Sequence, residues 1–191
     1  MTDIKKRQAI LIGNGDLNIT NLIETYYDTT QLIIVLDGAI EKVQHFKKIK
    51  PQVLLGDFDR GFVIETWKEK YPDLQIIHAP DQEKTDFEKA IEYLIENKFT
   101  SIIALGITGK RMDHTFNNIS SLAKYNQLID IKIIDPHSII YCIDEQNVYV
   151  KRFEKDLKDK KNIEIPKFGR MRSTKEGNYF FVADRRIGLF A

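Results

Sequence analysis

Six short runs of Ile, Leu and Val constrain this chain more than any other feature. They lie at residues 9–12, 32–36, 53–55, 74–77, 102–105 and 131–134. A strand with one wet face alternates apolar and polar residues. These runs do not, so they fit strands covered on both faces, as in a parallel sheet. Between them lie stretches of helical period. Phe87, Ala90, Ile91, Leu94 and Ile95 form one apolar stripe. Thr85 and Glu88 ahead of it have the spacing of a capping box, which starts the helix at Thr85 and puts Asp86 in its first turn. Residues 112–125 read as a second helix with Phe116, Ile119, Leu122 and Ala123 inward, and residues 63–71 as a third around a core Trp67. Strands alternating with helices predict an α/β fold, a doubly wound and mostly parallel sheet.

The pattern changes near Pro136. Residues 138–144 and 147–153 read as strands joined tightly at Glu145-Gln146, and 162–166 and 178–183 as two more. The charged stretch 154–161 between them reads as solvated. The expected organisation is an α/β domain over 1–135 and a small β-sandwich-like domain over 136–191. A unit of roughly 55 residues is marginal alone, so it is expected to lean on the first domain or on a second subunit.

Composition narrows the setting. The chain has 191 residues and a formal net charge of +1. That balance gives no reason to expect nucleic acid or an acidic membrane as partner. The one cysteine, Cys142, cannot pair within the chain, which fits a reducing, cytoplasmic setting; its Ile-Ile-Tyr-Cys-Ile context predicts a buried strand thiol. No stretch reaches membrane-spanning length, and the apolar run near the N-terminus is too short for a signal peptide.

The chemistry is expected where the apolar runs end. Asp37 follows one, Asp57 and Asp59 follow another, Asp86 starts a helix after a third, and Asp113 starts a helix after a fourth. Ligands of open α/β sheets bind at such strand ends, and carboxylates there suit a hard divalent cation that can grip a polyphosphate. Asp-Phe-Asp also suits a turn in which aspartates cap the backbone. Gly106 and Gly109 permit a tight strand-to-helix turn that aims N–H groups at an anion, and Lys110 and Arg111 add cationic donors. The spacing is not that of a Walker loop. Gln82 and Thr85 lie in a further strand-to-helix connection, Thr85 at least as a cap. His114 reads equally as catalytic or as a helix-start hydrogen-bonding residue. Asp37 is expected to shape its turn.

Taken in order, Leu36-Asp37-Gly38-Ala39, Gly56-Asp57-Phe58-Asp59-Arg60, Asp81-Gln82-Glu83-Lys84-Thr85-Asp86 and Gly109-Lys110-Arg111-Met112-Asp113-His114 resemble the four motifs of the thiamine pyrophosphokinase family. The resemblance covers roughly residues 9–135. It implies transfer of pyrophosphate from ATP to the hydroxyl of thiamine, giving thiamine diphosphate and AMP, in a homodimer with sites between subunits. It implies Mg²⁺ held by Asp57, Asp59 and Asp86. Gln82, Thr85, Lys110, Arg111 and Asp113 would contact nucleotide, phosphates or the thiamine hydroxyl. Asp113, with Asp86 as rival, would accept the hydroxyl proton, and Arg111 would act on the phosphates. Phe180 stands nearest the family's thiamine-packing aromatic, supplied from the neighbouring subunit. Arg60 and Lys110 replace a usual Ser and Gly and add positive charge, and the resemblance implies a C-terminal unit that is short relative to the family's. Two other readings stand beside this one. One is a different Asp-x-Asp metal-dependent phosphatase or transferase; the other is a non-catalytic nucleotide-binding protein of the same fold.

Overall fold

The computed structural model describes residues 7–15, 32–58, 62–136, 138–144, 147–152, 169–173 and 179–183, with side chains as far as Cys142. In chain order the elements are β1 (Gln8–Ile12), β2 (Leu32–Leu36), a 3₁₀ turn (Asp37–Ala39), α1 (Ile40–Val43), β3 (Val53–Gly56), α2 (Ile64–Lys70), β4 (Gln75–His78), α3 (Asp86–Glu96), β5 (Ser101–Leu105), α4 (Met112–Tyr125), β6 (Asp130–Ile134), β7 (Ser138–Asp144), β8 (Asn147–Arg152), β9 (Gly169–Ser173) and β10 (Tyr179–Ala183). The strands join one ten-stranded sheet in the order β4-β3-β2-β1-β5-β6-β7-β8-β10-β9.

The six apolar runs are its parallel part. β1 pairs in parallel with β2 and β5, β3 with β2 and β4, and β6 with β5. Central strands are buried residue after residue, as their lack of alternation requires: β5 reads buried throughout. Successive side chains still point to opposite faces. Ala9, Leu11, Ile34, Leu55, Ile102 and Ala104 meet α3 and α4 on one face. Ile10, Ile12, Ile33, Val35, Leu54 and Ile103 meet α1 and α2 on the other. This is the doubly wound arrangement, with two cores separated by one sheet.

The helices follow their sequence cues with one correction. Thr85 caps α3, its Oγ1 accepting the backbone N–H of Glu88 at 3.3 Å. Phe87, Ala90, Ile91 and Leu94 are buried beneath that helix, and Trp67 is buried beneath α2. In α4 the expected inward Phe116 is instead 45% exposed. The buried face carries Asn118, Ser121, Leu122 and Tyr125. The two polar residues are tolerated inside because both are hydrogen-bonded: Asn118 Nδ2 donates to the carbonyl of Ile107 at 2.9 Å and Ser121 Oγ to that of Asn117 at 3.0 Å. α3 and α4 also share polar contacts. Glu88, 7% exposed, accepts from Asn117 and Lys124, and Glu92 accepts from Lys84 and the Tyr125 hydroxyl.

After β6 the sheet turns antiparallel: β7 pairs with β6, β8 with β7, β10 with β8 and β9 with β10. The change falls near Pro136, where the sequence pattern changes. β9 is an unanticipated strand. The strand expected at 162–166 and the charged stretch 154–161 lie outside the described residues. Cys142 is half-buried against the core edge.

Candidate functional site

The order of the sheet reverses between β1 and β5. β1 is followed by β2 on one side, and β5 is followed by β6 on the other. At such a switch point the loops leaving the strands' carboxyl ends part and leave a crevice. Here the two loops are joined at its floor by backbone hydrogen bonds, Gly13 N–H to Leu105 O at 2.8 Å and Gly15 N–H to Gly106 O at 2.7 Å. The approach requires glycine: a Cβ on Gly15 would lie 2.2 Å from the Thr108 carbonyl oxygen. The cleft above has a volume of about 290 Å³. It is lined by the loops after β1, β2 and β5 and by the first turns of α3 and α4.

One wall of the site is acidic. Asp37, Asp57 and Asp86 each offer an oxygen within 4.8 Å of the others, and all three are half-buried. They come from three connections: the end of β2, the end of β3 and the start of α3. β2 and β3 are sheet neighbours, which brings Asp37 beside Asp57. Asp37 has φ 34°, a left-handed backbone that aspartate tolerates better than most residues. Asp57 is held by two partners, the Gln82 amide at 3.0 Å on Oδ2 and His78 Nε2 at 3.1 Å on the backbone carbonyl. Asp86 accepts from Lys89 Nζ at 3.1 Å. Burial raises the Asp86 pKa, partly opposed by the Lys89 hydrogen bond and charge; Asp57 raises it further and His114 lowers it. Half-buried carboxylate oxygens gathered from three strand ends fit a hard divalent cation in their chemistry, since such ions take oxygen donors and few others.

Another part of the lining is cationic. After β5 the chain turns through Gly106 (φ 63°), Gly109 (φ 86°) and Lys110 (φ 55°) before α4 begins. Lys110, Arg111 and His114 all border the cleft. Arg111 grips Asp113 through Nε to Oδ1 at 3.1 Å and through Nη2 to Oδ2. This pairing, aided by the backbone N–H and charge of His114, holds the Asp113 carboxyl down at about 2. A turn of glycines and cations at a helix start can receive an anion. Carboxylates that suit a metal and donors that suit an anion therefore border one crevice.

The residues expected from sequence divide accordingly. Asp57, Asp86 and Gln82 meet in the acidic wall; Thr85, Asp86, Lys110 and Arg111 line the cleft. Asp113 is paired with Arg111 and well exposed. Asp59 and Arg60 lie outside the described residues. Phe180 sits on β10, four strands beyond β5 in sheet order, or ~19 Å at the usual strand spacing. Its side chain lies outside the described residues. Sequence reasoning left Asp37 to shape its turn, where it also lies within 4.8 Å of Asp57 and Asp86, and it did not single out Asn118 or Lys89. Asn118 lines the cleft and accepts from the Thr85 hydroxyl at 3.4 Å. Lys89, three residues after Asp86, offered a spacing signal for a helical ion pair.

Fold and crevice together define a doubly wound α/β protein that places a carboxylate cluster and a glycine-rich cationic turn at its switch point. A family model described as the catalytic domain of thiamin pyrophosphokinase matches residues 23–134. The chain belongs to that family. It is similar to thiamin pyrophosphokinase 1 of Caenorhabditis elegans, at 28% identity over 149 residues, covering 73% of this chain and 56% of the relative. It is also similar to thiamine pyrophosphokinase of Bacillus subtilis, at 29% identity over 133 residues, covering 68% of this chain and 61% of the relative. The solved B. subtilis structure superposes with a TM-score of 0.60 at 28% identity, covering 71% of this chain and 63% of that one. The Candida albicans thiamin pyrophosphokinase structure shares the fold, with a TM-score of 0.61 at 20% identity over 75% of this chain and 63% of its own. The chain spans between about half and three fifths of the length of the curated relatives it matches.

Proposed function

We propose that this chain is a thiamine pyrophosphokinase, transferring the terminal pyrophosphoryl group of ATP to the hydroxyl of thiamine and releasing AMP. The observation that carries this reading is the cluster of Asp37, Asp57 and Asp86, of which Asp37 and Asp86 line the same cleft as Lys110 and Arg111. Family membership supports it.

In this reading the thiamine hydroxyl oxygen attacks the β-phosphorus. The bond between that phosphorus and the oxygen bridging to the α-phosphate breaks, and AMP leaves with the electron pair. Such transfers need positioning and charge stabilisation more than covalent help. Asp37, Asp57 and Asp86, with Asp59 as a further candidate, would hold Mg²⁺. The ion would supply positive charge against the phosphate oxygens. Lys110 and Arg111 complement it from the turn after β5. Gln82 keeps Asp57 in place, and Thr85 caps the helix that presents Asp86.

Two aspartates compete for the hydroxyl proton. The Arg111 pairing makes Asp113 a weak acceptor and gives it another task, aiming the guanidinium. Asp86 is engaged as well, accepting from Lys89 and standing in the carboxylate cluster. We therefore place Asp113 behind Arg111 and Asp86 on the cation, with neither carboxylate a strong proton acceptor.

The same reading takes the working unit as a cytoplasmic homodimer. The α/β domain over 1–135 supplies the nucleotide side. The β-rich domain over 136–191 supplies the thiamine side of the partner's site through Phe180. The strand order agrees with this, since β10 lies too far along the sheet to serve the cleft of its own chain. Incubation with ATP, Mg²⁺ and thiamine, read by chromatography, tests the proposal. Thiamine diphosphate and AMP should appear in equal amounts; folded protein yielding neither contradicts it.

A further inference from the structure

Lys89 lies in α3 with its side chain only 6% exposed. A lysine is rarely enclosed to that degree unless its charge is paired and its N–H groups are satisfied. Two bonds do this here: Nζ donates to the Ala79 carbonyl at 2.8 Å and to Asp86 Oδ1 at 3.1 Å. Ala79 directly follows β4, and its own N–H donates to the Gly56 carbonyl at 2.8 Å. Gly56 is the last residue of β3 and precedes Asp57. One ammonium thus ties the helix that carries Asp86 to the strand exits that carry Asp57.

We propose that Lys89 is the positioning residue of the carboxylate cluster, clamping Asp86 through Oδ1 so that its carboxylate stays beside Asp37 and Asp57. The proposal rests on the reading of that cluster as a divalent-cation site. Three carboxylate oxygens within 4.8 Å repel one another. Without a fixed cation behind it, Asp86 would swing away from the other two toward solvent. Lys89 keeps the cluster assembled, so an arriving ion meets preorganised ligands. A helix-stabilising ion pair alone would not need the second bond to Ala79, which fixes the position of the ammonium itself.

The two roles separate in a metal-binding measurement. Mn²⁺ uptake by the full chain is followed from the loss of the free-ion electron paramagnetic resonance signal. The comparison is between wild type, Lys89→Met and Lys89→Arg, with thermal unfolding of each recorded. Lys89→Met should weaken Mn²⁺ binding by ~10-fold or more, although it removes a positive charge. Lys89→Arg should recover most of the loss. Binding as tight as wild type, or tighter, in folded Lys89→Met overturns the positioning role and leaves the metal reading intact. A wild-type chain that takes up no Mn²⁺ overturns both. Should Lys89→Met fail to fold, the Lys89 ¹⁵Nζ resonance of the wild-type chain replaces it. That signal should be protected from solvent and shift on adding Mg²⁺, and a signal that Mg²⁺ leaves unmoved overturns the role.

Discussion

Asp37 and Gly56 pack so closely that residue 56 has no room for a side chain: a Cβ there would lie 2.9 Å from the Asp37 Cβ. The contact joins the exits of β2 and β3 and so sets the distance between Asp37 and Asp57. Gly56→Ala must push the two exits apart. The expected cost is ~1–3 kcal/mol of stability, typical of overpacking, with a clear loss of Mn²⁺ affinity. Urea unfolding and Mn²⁺ titration on the same sample check both.

Asp113 should titrate far below an ordinary aspartate. Its value is lowered from 3.8 to about 2 by the Arg111 hydrogen bond. Because the folded value lies below the unfolded one, the pairing favours the fold above about pH 4 and is lost as pH falls toward 2. Carboxyl ¹³C shifts followed from pH 1.5 to 6 report the value directly. Arg111→Met should return it toward the ordinary one; a wild-type midpoint near 3.8 contradicts the pairing.

The two aspartates near the proposed proton transfer should differ in their effect on turnover. Asp86→Asn removes a carboxylate of the cluster, so kcat should fall by ~10²-fold. Asp113→Asn leaves Arg111 charged but less well aimed, so the loss should stay within about tenfold. Steady-state rates of AMP release compare the two, and a larger loss in Asp113→Asn reverses the assignment.

The face of α4 is open to a direct check. Phe116 is 45% exposed and Leu122 is 1% exposed. Leu122→Ala should cost ~2–5 kcal/mol, and Phe116→Ser should change stability by less than about 0.5 kcal/mol. Denaturant midpoints of the two variants decide whether the buried stripe runs through Asn118 and Ser121.

That helix shows where sequence reasoning stops. Counting apolar residues put Phe116 inside, because nothing in the sequence says that Asn118 finds the Ile107 carbonyl within the core. The parallel strands were legible because burial on both faces leaves unbroken runs such as Ser101–Leu105. The α3 start was legible because Thr85 and Glu88 are local to one another. β9, Gly-Arg-Met-Arg-Ser, carries no apolar run to announce it. In the site, Asp57, Asp86 and Arg111 were readable from motifs at strand ends. Asp37 was read as a strand-end carboxylate but left to shape its turn, since its closeness to Asp57 depends on β2 lying beside β3. Lys89 stayed hidden for the same reason: its second partner, Ala79, comes from a different element.

The central claim is transfer of the ATP terminal pyrophosphate to thiamine. Following separately labelled ATP tests it most directly. With label in the β-phosphate, the label should move into thiamine diphosphate; with label in the α-phosphate, it should remain in AMP. Label from the β-phosphate found in ADP, or in free phosphate with thiamine unchanged, would contradict the account.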